Sequence, residues 1–332
     1  MSAQRPLRFR PALLRCSALL TLAGLASSPA QAREAFVFPS FNQSALARYA
    51  ALPTPAASHA SPGPRFTLDW TSESIIDAAG SETLVVDGEI LRLGLQYQAR
   101  WAGMDWGIEV PLLFAGGGML DAAIESWHDT FGLPDGGRKQ LPRDDYRYAY
   151  ARDGVLQFDV NQGASTVGDI RLGAARCQDS GGCLRGMLQL PVADADELLG
   201  GGLGAALWYE QPYVLGASER WTGVIAAGLS AQRSDGPLQD QQRALLPFGW
   251  ASLGYALTES VDAGLQFYAH APLYDDSELE SLSEPGGLLS FGLSYRQHGG
   301  TLWRLAVVED VITETSPDFV IHFSADFGTP TQ

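Results

Sequence analysis

The sequence is poor in positive charge: a single lysine, Lys139, stands among 332 residues, and 38 acidic residues outnumber 22 basic ones. That balance excludes nucleic acid as a partner, because such binding rests on neutralising phosphates with Lys and Arg. Histidines number five and cysteines three, so no four-ligand zinc set can be assembled from neighbouring positions, and no cofactor is expected. Beyond the N-terminus there is no apolar run of about 18 residues, which excludes a helix that crosses a bilayer.

What is present begins with Arg5, Arg8, Arg10 and Arg15 without an acid, then the apolar stretch from Ser17 to Ala26, then Ala30-Gln31-Ala32. This pattern predicts a secretory signal peptide over residues 1–32, cleaved after Ala32, and export from a Gram-negative cytoplasm. Its apolar core is too short to span a hydrocarbon layer of roughly 30 Å at about 1.5 Å per residue. Cys16 precedes that core, so it is not the cysteine that carries lipid in a lipoprotein. Loss of the four arginines takes the formal charge from −16 to −20. Cys177 and Cys183 flank Gln178-Asp179-Ser180-Gly181-Gly182, and in an oxidising periplasm such a pair is expected to close a small disulfide loop.

The mature chain alternates large apolar residues with Gly, Ser, Gln or charge at period two, the mark of strands with one greasy and one polar face. Leu91, Leu93, Leu95, Tyr97 and Ala99 interleave with Arg92, Gly94, Gln96, Gln98 and Arg100, and Trp106, Ile108, Val110 and Leu112 continue the pattern. Similar stretches surround Leu68, Leu172, Leu188, Leu207, Leu265, Leu293 and Leu305, and the last, Phe319 to Phe327, is the most regular. Residues 221–231 and 248–257 are small-residue-rich strands whose facing the pattern leaves ambiguous. Connections also alternate. Short ones (102–104, 177–183, 212–220, 258–260, 297–300) take turns with longer ones (115–165, 192–202, 233–247, 272–286, 310–317), with 79–81 the one short exception. A membrane barrel with short periplasmic turns and long outer loops produces that alternation, whereas a soluble sandwich has no reason to.

The fold expected is therefore all-β: a closed antiparallel transmembrane β-barrel of about 12 strands over residues 65–328, with a long outer loop carrying a short helix and a tail at 329–332. The segment 33–64 precedes it, with Asn42-Gln43-Ser44 opening a helix over 45–52 that Pro53 ends. It serves either as a periplasmic tether or as a plug folded into the barrel. Expected partners are outer-membrane lipid and, during biogenesis, the barrel-assembly machinery.

The long loop contains Leu120-Asp121 and the run from Glu125-Ser126-Trp127-His128-Asp129-Thr130-Phe131 to Asp135-Gly136-Gly137-Arg138. Together with Asn42-Gln43-Ser44, Gly168-Asp169-Ile170-Arg171 and Val308-Glu309-Asp310, this resembles a bacterial family catalogued as domain of unknown function 3187. The resemblance covers almost the whole mature chain and implies an outer-membrane barrel. It implies no activity and no functional residues.

Alternation assigns Arg92, Glu109, Asp169, Arg171, Arg185, Asp262, Arg296, Arg304 and Asp326, with Asp69 and Glu73, to the lumen, where charge is wet or paired. A barrel this narrow lacks the open bore of 16–18-stranded porins, so opposed arginines and carboxylates either fill it or line a small selective pore or ligand site. In the long loop, Trp127, His128, Asp129, Phe131, Asp135 and Arg138 are candidates for a constriction or a lid over the mouth. A third reading is acyl hydrolysis at the membrane surface, with His270, His322 and Ser324 as weak catalytic candidates, since a His beside a Ser and a carboxylate can activate a nucleophile.

Overall fold

The computed structural model describes residues 34–56, 62–132, 138–233, 235–312 and 315–327. The expected signal peptide and the tail lie outside them. Among these residues the chain forms β1 (Gly63–Ala79), β2 (Glu82–Trp101), β3 (Met104–Gly116), α1 (Asp121–Phe131), β4 (Arg147–Arg152), β5 (Val155–Val160), β6 (Ser165–Val167), β7 (Ile170–Cys177) and β8 (Cys183–Leu190). It continues with β9 (Leu203–Leu215), β10 (Trp221–Arg233), β11 (Leu245–Ala256), β12 (Val261–His270), α2 (Glu280–Ser283), β13 (Gly286–Arg296), β14 (Leu302–Ile312) and β15 (Phe319–Asp326).

Twelve of these strands close a barrel. The sheet runs β1-β2-β3, continues with β7 to β15 in order, and β15 pairs back onto β1, every pairing antiparallel. Closure leaves no edge of unpaired backbone groups, the condition for a sheet in hydrocarbon. The outward face is apolar and exposed, with Leu95, Leu172, Leu207, Ile225, Leu229, Leu265, Leu293 and Leu305 among its residues. Cys177 and Cys183 pair across the β7–β8 turn as a disulfide, at the end that carries the short turns.

β4, β5 and β6 stand outside the count of twelve. Above Glu89, where β3 ends, β2 takes β4 as its neighbour, and β5 extends that wall. One side of the barrel therefore rises well above the rest at the long-loop end.

Of the two strands of uncertain facing, β10 follows the simple rule that large apolar residues point to lipid and β11 departs from it. Ile225 and Leu229 of β10 are exposed, whereas Phe248 and Trp250 of β11 are buried and point inward with Trp208 and Tyr268. Trp250 stacks at 5.8 Å on Tyr268 and at 6.1 Å on Phe248. Aromatics face the lumen here because the lumen contains protein.

Candidate functional site

Residues 36–56, ahead of β1, are enclosed by the barrel. The chain enters at the short-turn end, where Glu34 pairs with Arg296 and lies 3.8 Å from Arg304. The Phe36 ring rests on Gly254 and Gly264, paired residues of β11 and β12 where a Cβ would come within 2.4 Å of it. Only glycine leaves room for so close an approach. Next, the Gln266 amide accepts from Phe38 N and donates to Phe38 O, both at 2.9 Å, bonding the segment as a neighbouring strand would. Asn42 Nδ2 meets His270 Nε2 and Thr315 O, each at 2.8 Å, near the long-loop end.

There the chain reverses through a one-turn 3-10 helix, Ala45–Ala47. The longer helix expected over 45–52 does not form. The wall takes its backbone groups instead: Glu73 accepts from Ala45 N at 2.6 Å, Tyr274 donates to Leu46 O at 2.6 Å, and Gln189 donates to Tyr49 O at 3.4 Å. Arg48 lies 3.5 Å from Glu73, and Leu46 and Leu52 are fully buried. The return leg passes Tyr268, which donates to Pro53 O at 3.3 Å, and reaches Thr54–Ala56 on the way to β1.

The lumen-facing charges form pairs around this segment. Asp69 accepts from His322 Nδ1 at 2.6 Å and lies 3.7 Å from Arg92, which also pairs with Glu109. Arg185 pairs with Glu210 at 2.7 Å, and Arg65 Nε donates to Asp326 at 3.1 Å. Asp262 accepts from Ser294 at 3.0 Å nearer the short-turn end. Asp169 holds the 192–202 loop by accepting from the backbone N–H of Val192, Ala193 and Gly201. Arg171 differs from the other arginines: it lies over the Phe41 ring at 4.4 Å, with Arg92 on the same ring at 5.4 Å.

The long-loop mouth is closed by residues the sequence reading passed over. Tyr148 and Tyr150 of β4 point inward over Val86 and Leu84 and pack with Phe158, Leu46, Leu279 and Leu282. Tyr148 donates to Glu73 at 2.7 Å, and Tyr150 donates to Glu82, which also accepts from Ser277 at 2.9 Å. Burial, with the Glu82 carboxylate adding to it, pushes the Tyr150 hydroxyl up to about 12, and burial pushes that of Tyr146 up to about 12. Both hydroxyls stay protonated near neutral pH. The signal was the spacing Tyr146-Arg147-Tyr148-Ala149-Tyr150, a short period-two run inside what reads as a loop.

α1 takes neither of the two positions considered for it. Its apolar side (Leu120, Ile124, Trp127) packs on the outer wall, against Trp70, Val307, Phe319 and Ile321, and Trp127 stacks on Phe291 at 6.5 Å. Those residues share the face of lipid-directed Leu305 and Phe323. The cause is a set of polar groups on that wall. Glu89 accepts from Trp70 Nε1 at 2.6 Å, Met119 N at 2.9 Å and Leu120 N, and Gly118, at φ +74°, leaves space for its carboxylate. Arg138 pairs with Asp121 and Asp318 and donates to Ser72 at 3.0 Å, while His128 lies 3.9 Å from Glu309. Asp129 pairs with Lys139 at the surface. Asp135 and the Phe131 side chain lie outside the described residues.

The three weak catalytic candidates are not brought together. His270 is occupied by Asn42 and by its own neighbour Ala271 O at 2.8 Å, and Ser277 serves Glu82. His322 and Ser324 are both fully buried, and among the described residues neither His322 Nε2 nor Ser324 Oγ has a hydrogen-bond partner, so the two are not hydrogen-bonded to each other. Among the described residues no group of three His, Cys, Asp or Glu side chains could hold a metal ion.

A family model described as "Protein of unknown function (DUF3187)" matches residues 13–329. The chain belongs to that family. No curated protein matches its sequence. Among solved structures this DUF3187 protein is similar to the COG4313 outer membrane channel from Pseudomonas putida F1, at 11% identity and a TM-score of 0.50, over 83% of this chain and 96% of that one. It is also similar to the NanC porin, at 8% identity and a TM-score of 0.42 over 80% and 98%, and to the Pseudomonas putida toluene transporter TodX, at 10% and 0.38 over 87% and 98%. At these identities the likeness is one of fold.

Proposed function

We propose that this DUF3187 protein is an outer-membrane channel held shut by its own N-terminal segment, which passes a small solute when that segment shifts. The observation that carries this reading is the burial of residues 36–52 inside a closed barrel, fastened by groups from β1, β8, β12 and the 271–279 loop. An eight-stranded barrel is filled by its own side chains and a 16-stranded one leaves an aqueous bore. Twelve strands enclose an intermediate lumen, and here two passes of chain occupy it. A purely structural barrel has no use for so many polar contacts to a separate segment, because apolar side chains fill a core without desolvating charge. The exposed apolar belt supports an outer-membrane position against lipid, and in this reading the short turns face the periplasm, as they do in outer-membrane barrels generally.

The test is conductance. The full chain in a planar bilayer should be silent or open only briefly, and a variant lacking residues 34–56 should give stable steps. Its folding is checked independently by the gel shift between boiled and unboiled protein. A deletion variant that shows the shift but conducts nothing would favour the alternative of a filled structural barrel.

A further inference from the structure

Between the return leg of the N-terminal segment and the β2-β3-β7-β8-β9 wall, toward the short-turn end, lies a cavity of about 110 Å³. Arg65, Gln96, Glu109, Arg171, Arg185, Met187 and Trp208 are among its lining residues, with Thr54 and Ala56 from the segment. Two of the three lining arginines have ion-pair partners, Arg65 with Asp326 and Arg185 with Glu210; the third, Arg171, has none among the described residues, because of its neighbouring carboxylates Glu109 pairs with Arg92 and Asp169 accepts from Val192, Ala193 and Gly201 N–H. Arg171 is nine-tenths buried, and among the described residues neither its Nη1 nor the buried Gln96 Nε2 has a hydrogen-bond partner. Two buried donors against one cavity, one of them cationic, require an acceptor, because an unmet buried donor costs about 1–3 kcal/mol and a charged one more. Toward the short turns the same cavity is lined by Ala175, Met187 and Trp208, with Arg185, held by Glu210, in register between Ala175 and Trp208.

We infer that this cavity is a binding site for a short-chain monocarboxylate, its carboxylate on Arg171 and Gln96 and its alkyl end against Trp208 and Met187. Size sets the upper limit. An engineered cavity of roughly 150 Å³ holds benzene, six heavy atoms, so 110 Å³ suits a ligand of acetate or propionate dimensions. A single negative charge matches the one lumen arginine that lacks an ion pair among the described residues. The inference concerns binding in the closed, segment-filled state and does not require that the barrel conduct.

The experiment is calorimetric titration of propionate, propionamide and chloride into the full mature chain in detergent. Propionate should bind; propionamide, of the same shape but uncharged, and chloride, charged but without an alkyl end, should bind far more weakly. Arg171→Gln should weaken propionate binding roughly 10- to 100-fold, the loss expected of a charge-assisted pair. Ala175→Leu, which keeps the arginine and fills the space, should abolish it. Both variants must first show the wild-type shift between boiled and unboiled protein, and Arg171→Lys, which keeps the charge, replaces Arg171→Gln if that variant does not fold and should retain partial binding. Equal binding of propionamide or of chloride, or propionate binding undiminished in a folded Arg171→Gln or Ala175→Leu protein, would overturn the inference, as would the absence of propionate binding to the wild type. Because no current is measured, failure here is separable from failure of the channel reading.

Discussion

The two halves of the lumen are filled by opposite means. At the long-loop end the N-terminal segment lies in a dry core of Leu46, Leu52, Tyr148, Tyr274, Leu279, Leu282 and Val308. Toward the short-turn end it runs among paired charges, Arg65 with Asp326, Arg92 with Glu109 and Arg185 with Glu210, and a cavity remains. Apolar packing is dense and intolerant of charge, while a charged wall tolerates solutes and gaps. On the proposed channel reading, closure falls to the long-loop half and solute contact to the other.

The sharpest way to break that comparison is to place the same charge in each half. Leu46→Asp buries a carboxylate with no partner in the dry core and should cost about 4–5 kcal/mol, seen as a fall in the thermal midpoint and as frequent channel openings. Thr54→Asp, beside Arg65 and Arg171 at the cavity, should leave both readouts close to wild type. Equal effects at the two positions would remove the distinction between the halves.

Next in size is the buried ion pair between Arg48 and Glu73 in the dry half. Glu73 meets Arg48, the Tyr148 hydroxyl and Ala45 N at a buried position. Glu73→Ala strands the Arg48 guanidinium and should cost about 3 kcal/mol, measured by how readily trypsin cuts after Arg48 in the folded protein. Glu73→Gln keeps an acceptor for Ala45 N and should be cut more slowly than Glu73→Ala.

A smaller effect is expected where the segment is held by hydrogen bonds alone. Asn42→Ala removes donors to His270 Nε2 and Thr315 O, a loss of about 1–2 kcal/mol. Openings should be more frequent than in wild type and rarer than in Leu46→Asp.

The barrel and most of its lumen face were legible in the sequence because strand alternation is a local signal. Arg92, Glu109, Arg171, Arg185, Arg304 and Asp326 all point inward, and the strands Leu91–Arg100 and Trp106–Leu112 fall within β2 and β3. What alternation could not show is what a face meets. Phe248 and Trp250 read as ambiguous because their environment is the N-terminal segment, some 200 residues earlier in the chain, and Gly254 and Gly264 carry no pattern of their own until Phe36 is laid across them. The segment itself has the spacing of a helix, and only the competing donors and acceptors of the wall keep it extended. The alternation of short and long connections gave no means of choosing which part of a 50-residue loop lies over the lumen.

That choice yields the smallest expected effect. Tyr148 and Tyr150 lie over the lumen and α1 lies on the outer wall, so the two parts of one loop should answer differently to mutation. Trp127→Ala removes ring contacts at 6.5 Å with Phe291 and 6.2 Å with Phe319, each worth about 1 kcal/mol beyond the area buried. Helix α1 should loosen, seen as faster proteolysis near Lys139, the chain's one lysine, while conductance stays silent. Tyr148→Phe, which changes a single hydroxyl, should by contrast raise the opening frequency, because that hydroxyl satisfies the carboxylate that holds the segment. If Trp127→Ala opened the channel and Tyr148→Phe did not, closure would belong to the outer wall, and the contrast between the two lumen halves would concern stability alone.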